Sequence, residues 1–138
     1  MLQILFWAVV SAVSIMPLVY LLRKHFSAQL LAASFLIAMA FIYVGFALKT
    51  DSVIDIILET SAAILFFFIA LIGYTKNPKW IAVGILLHGL WDTTHHLFLN
   101  HGVPASYWPL YCLTIDFIWF VYFYRMFSKQ ANDETKKL

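Results

Sequence analysis

The chain has 138 residues, of which 63% are hydrophobic and 12% charged, and its mean hydropathy is +0.85. That is more apolar surface than a water-soluble domain of this length can bury, so the composition excludes an ordinary soluble protein and predicts an integral membrane protein. The net charge of +2 goes with no expected nucleic-acid partner, and the single cysteine, Cys112, excludes an internal disulfide and a cysteine-based zinc cage.

The fold expected is all-α, a polytopic bundle of five transmembrane helices. Short polar breaks at 23–25, 49–51, 75–79 and 100–104 divide the apolar runs into spans near 2–22, 26–48, 52–74, 79–99 and 107–127. Each has about the ~20 residues that a bilayer core requires. The first run is followed, not preceded, by its basic residues Arg23 and Lys24, unlike a signal peptide, and Pro17 is a candidate kink within it. Ser52-x-x-Asp55 at the head of the third span resembles a capping box, which gives Asp51 and Asp55 a helix-starting role as an alternative to a site role. Pro78 and Pro109 suit the first turns of the fourth and fifth spans, where a missing N–H costs nothing. The chain divides into one transmembrane domain, 1–127, and a short polar cytoplasmic tail, 128–138, whose composition reads as solvated and prone to disorder.

Basic residues orient the bundle. With the N-terminus outside, eight of the nine (Arg23, Lys24, Lys76, Lys79, Arg125, Lys129, Lys136 and Lys137) lie on the inner side, leaving Lys49 outside. The positive-inside rule therefore predicts N-terminus out and C-terminus in, with the plasma membrane, the inner membrane of a bacterium, as the expected location.

The acids run the other way. Glu59, Asp92 and Asp116 fall on three different spans at comparable depth, about 10–15 Å below the outer interface at ~1.5 Å per helical residue. In the fourth span, HGLWDTTHH places His88, Asp92 and His95 within roughly 60° of one another, with His96 about 40° beyond Asp92. Gly84, one turn below, leaves room for a neighbouring helix. Carboxylates at such depth cost several kcal/mol unless neutralised. Lys49, beside the interface, is the only base in the outer half, so a proton, an imidazolium or a bound cation must serve. His88, Asp92, His95, His96, Glu59 and Asp116 form the candidate ligand set. Mixed nitrogen and oxygen donors suit a divalent transition metal, zinc or iron foremost. A purely hydrogen-bonded polar core and plain structural packing are the competing readings. The spacing leaves open which of His95 and His96 faces the site. His101, next to Gly102, reads as a solvent-loop residue, and His25 receives no role.

The motif His88-Gly89-x-Trp91-Asp92-x-x-His95-His96, followed by Gly102, Pro104, Pro109 and Asp116, resembles a family of small uncharacterised integral membrane proteins. The resemblance covers about the last third of the chain and brings no activity with it. In site chemistry alone the chain is similar to intramembrane zinc hydrolases of the alkaline ceramidase and adiponectin-receptor type. Those have seven spans and an HxxxH pair, whereas this chain has five and none.

The leading expectation is a metal-dependent membrane enzyme, hydrolase or non-haem metal oxidoreductase, acting on a lipid-like or apolar small molecule, with Glu59 or Asp116 as the proton acceptor. The alternatives are a protein that binds or transports a divalent cation or proton, and a non-catalytic subunit of a membrane complex. Membrane lipids are the expected surroundings, and a homo-oligomer is compatible with either.

Overall fold

The computed structural model describes residues 1–98 and 106–136, and every regular element among them is an α-helix. The five helices are α1 (Leu2–Leu22), α2 (Ala28–Ala47), α3 (Val53–Thr75), α4 (Lys79–Phe98) and α5 (Trp108–Thr135). Four of them (α1, α2, α3 and α5) are long and apolar enough to cross a membrane. α4 is long enough at 20 residues, but His88, Asp92, His95 and His96 dilute its apolar content.

Local chemistry explains where the helices begin. Ser27 caps α2, its hydroxyl oxygen accepting from the Leu30 N–H at 3.1 Å. Ser52 caps α3 in the same way, accepting from the Asp55 N–H at 3.3 Å. The Ser52 N–H goes instead to Thr50 Oγ1 at 3.4 Å, so the serine half of the anticipated capping box is the one in place. At the head of α4, Asn77 Oδ1 accepts from the Lys79 N–H at 3.0 Å, with Pro78 between them. Pro17 lies inside α1, and Pro109 is the second residue of α5. α5 runs on as helix through the polar tail to Thr135, where composition alone favoured disorder.

α4, the helix richest in buried ionisable groups, is also the one with most neighbours: it packs against α2, α3 and α5, while α1 packs against α5. The buried ionisable groups of α4 are thereby screened from the surroundings by its neighbours. Packing is close because the buried faces are rich in alanine, among them Ala12, Ala32, Ala40, Ala63, Ala70 and Ala82. Large side chains such as Phe6, Ile54, Leu65 and Phe68 point outward, the arrangement suited to a lipid solvent. At Gly84 a methyl group would stand 2.6 Å from Leu36 Cδ2 and 2.7 Å from Ile69 Cγ2, so α2 and α3 both press their side chains onto this position. Trp119, Phe123 and Phe127 are fully buried along α5 and stack in succession, at ring separations of 5.5 and 5.9 Å. With Ile81, Ile85 and Phe66 they fill the half of the bundle nearest the α3–α4 turn with apolar matter. The polar residues occupy the other half.

Candidate metal site

The i, i+4 spacing on α4 stacks His88 and Asp92 on one face, and that face meets α5. Gly89 makes the meeting close. A methyl group there would stand 3.0 Å from both Cβ and Oδ2 of Asp116 and 3.1 Å from the Leu113 Cα, so the missing side chain is what lets Asp116 reach α4. His88 Nδ1 lies 2.9 Å from Asp116 Oδ2, and His88 Nε2 lies 3.7 Å from Asp92 Oδ1. One ligand atom from each of the three residues falls within 4.8 Å of the others, and all three side chains are buried.

Asp92 is the least explained of the three by internal bonding. It has no exposure, and neither carboxylate oxygen makes a well-formed hydrogen bond. The Tyr43 hydroxyl and the Cys112 thiol face it without completing one. A buried polar group normally finds a partner, and leaving a carboxylate without one is costly. Asp116 already engages His88 Nδ1, which leaves His88 Nε2 and both Asp92 oxygens as donors for a cation. A histidine ring oriented by a carboxylate at one nitrogen has the usual set-up of a metal ligand, and here the ring also meets the Met39 backbone.

A second polar group stands beside the first. His95 Nε2 is 3.1 Å from Glu59 Oε1, and the Trp91 indole N–H donates to Glu59 Oε2 at 3.4 Å. Trp91 also stacks on the His95 ring, with centroids 6.0 Å apart. Glu59 and His95 are thus brought together with each other but do not join the trio within ligand distance of one cation. His96 is half-buried with its Nδ1 shielded and without a hydrogen bond, and it enters neither group among the described contacts. Asp55 is buried at the head of α3, one turn from Glu59, whereas Asp51 and His25 are exposed. His101, Gly102 and Pro104 lie outside the described residues. Among the described residues, no Lys or Arg pairs with any of the buried acids.

Tyr43 of α2 escapes sequence reasoning. Its ring stands edge-on to both His88 and His95, at 6.4 and 6.3 Å, so it separates the two polar groups while its hydroxyl is buried without a hydrogen bond. A lone tyrosine four residues from the end of a span reads as an interface-belt residue, and nothing in the spacing of α2 signals otherwise. Cys112 shares a face with Asp116, which one turn of α5 makes legible.

No curated protein and no solved structure matches this chain. A model of a family of unknown function (DUF6010) matches residues 3–129, a range that takes in Tyr43, Glu59, the whole of α4 and Asp116. With nearly all of its length so covered, the chain belongs to that family of unknown function.

Proposed function

We propose that this is a five-span membrane protein, N-terminus out and C-terminus in, whose buried trio His88, Asp92 and Asp116 holds a divalent transition metal, zinc or iron, and serves a reaction on a lipid-like or apolar small molecule. α4 supplies the fifth span: its polar residues face α3 and α5 rather than lipid, so their hydration is not lost to hydrocarbon without compensation. The positive-inside distribution supports the orientation and a plasma membrane, the inner one in a bacterium.

The observation that carries the reading is the Asp92 carboxylate, fully buried, unpartnered, and within ligand distance of His88 and Asp116. No arginine or lysine neutralises it, and a cation does so with the donor types present. Bound there, zinc would supply Lewis acidity and iron a redox centre with open positions. The protein's own contribution is positional. Asp116 fixes the ring of His88 through Nδ1, and Glu59, held against His95 and steadied by Trp91, stands beside the trio as a candidate proton acceptor. Cation transport is the weaker reading, because Trp119, Phe123 and Phe127 fill the inner half with aromatic side chains and, among the described residues, no buried ionisable group continues the site there.

Elemental analysis of the detergent-purified protein tests the proposal. Near-stoichiometric zinc or iron is expected, with loss of the metal in His88→Ala and Asp92→Asn. Clean, folded wild-type protein that carries no transition metal and takes none up on reconstitution refutes it.

A further inference from the structure

A cavity of about 180 Å³ lies against the trio. His88, Asp92 and Asp116 lie at its floor, but the surface it presents is apolar, the carboxylate oxygens of Asp92 and the Tyr43 hydroxyl being covered, and the rest of its wall is apolar or aromatic side chain from α1, α2 and α5. Two residues at its rim decide how it is reached: Ile15 of α1 and Ile42 of α2 are 36% and 45% exposed on the outer surface of the bundle. α1 packs against α5 and makes no comparable contact with α2, so the mouth lies between α1 and α2. In a membrane that mouth faces acyl chains, not water.

We infer that this cavity is a laterally entered binding site for a neutral, single-chain apolar molecule, which slides in from the bilayer between α1 and α2 and lays its chain against the apolar wall over the trio. The inference rests on the proposed metal site for the chemistry that follows, but the binding itself stands on the cavity.

Three observations define the ligand class. The first is size: about 180 Å³ is close to the ~150 Å³ of an apolar cavity that takes up one benzene, enough for a slender chain segment and too little for a sterol-like ring system. The second is charge. Carboxylates and an imidazole lie directly behind the floor, and among the described residues no Lys or Arg lines the cavity to receive a phosphate or carboxylate head group. An anionic head would be desolvated beside acids, a cost of several kcal/mol. The third is depth. Asp116 lies eight residues into α5, about 12 Å at ~1.5 Å per residue, well below the level at which phospholipid head groups sit. A long-chain alcohol, aldehyde or neutral ester meets all three conditions.

The test uses the full-length protein in phosphatidylcholine nanodiscs and a hexadecanol probe carrying a mid-chain diazirine. Illumination should attach the probe to peptides of α2 around Met39 and of α5 around Ile115, and excess unlabelled hexadecanol should displace it. Excess palmitoyl lysophosphatidic acid should not. Ile15→Trp, which fills the mouth from α1, should abolish the displaceable labelling while metal content stays at the wild-type level. Ile42→Trp, on the opposite rim, is the second variant should the first misfold. Labelling confined to outward residues such as Ile54 and Ile57, labelling that no alcohol displaces, or equal displacement by the lysophosphatidic acid overturns the inference. So does unchanged displaceable labelling in both folded rim variants. Displaceable labelling of a protein without metal upholds the lipid site and overturns only the metal proposal.

Discussion

Gly89 offers a substitution that separates site geometry from stability. In Gly89→Ala the new methyl would lie 3.0 Å from Asp116 Cβ and Oδ2 and 3.1 Å from the Leu113 Cα, a few tenths of an ångström inside ordinary contact. Two contributions of opposite sign act on the fold. Replacing glycine within a helix gains about 1 kcal/mol of propensity, and overpacking an interface costs about 1–3 kcal/mol. The net effect on the metal-free protein is therefore a loss of about 0–2 kcal/mol, the backbone contact at Leu113 giving less readily than the Asp116 side chain. A metal bound at the trio would feel a different balance. Asp116 moves away from α4, and its 2.9 Å contact with His88 Nδ1 lengthens, so the ring that points its other nitrogen toward Asp92 loses its fixed orientation. Loss of such an orienting partner typically lowers metal affinity by about 10–100-fold. Gly45→Ala is the control, since nothing lies within 4 Å of a methyl there; it should gain about 1 kcal/mol and leave the metal untouched. Thermal unfolding in excess chelator reads the first effect, and titration against a competing chelator reads the second. Wild-type metal affinity in folded Gly89→Ala would show that Asp116 neither ligates nor orients, and would refute the reasoning.

The two remaining tests concern charge and orientation. Asp92→Asn should leave the chelated protein at least as stable as chelated wild type, because it removes an unpartnered buried charge, yet abolish the gain that metal gives wild type, about 2.7 kcal/mol at a free concentration 100-fold above Kd; a loss of stability that is equal with and without chelator would argue for a structural polar core. In a Cys112→Ser background, a cysteine at Ser106 should react with an impermeant thiol reagent applied from outside and one at Asn77 should be protected, and the reverse pattern would invert the bundle.

How far the chain can be read without its structure depends on which physical signal each residue leaves in the sequence. The five helices are legible because polar breaks such as Arg23-Lys24-His25 and Lys49-Thr50-Asp51 interrupt otherwise continuous apolar runs, and the observed helix ends fall within a few residues of those breaks. The pairing of His88 with Asp92 is a matter of helical period alone. That Asp116 would reach His88 is legible only as comparable depth on different spans; which helix faces which is a tertiary fact, set here by Gly89. For the same reason, the division of the six candidate residues into a trio, a Glu59–His95 pair and His96 outside both could not be seen beforehand. His95 and His96 differ by one residue and about 100°, which puts His95 against Glu59 and leaves His96 half-buried to one side. Tyr43 and the cavity it lines depend on the gap between α1 and α2, and no periodicity encodes a gap.

The aromatic stack of Trp119, Phe123 and Phe127 bears on how the protein would acquire its ion. In the proposed orientation these rings stand between the trio and the cytoplasm, and a hydrated divalent cation does not cross such a barrier on a biological timescale. Loading would therefore follow insertion into the bilayer and draw on the metal pool of the outer compartment, with cytoplasmic chaperones having no access. Protons displaced from the ligands would leave by the same outer side, so occupancy would follow external pH and external metal supply and be indifferent to both inside the cell.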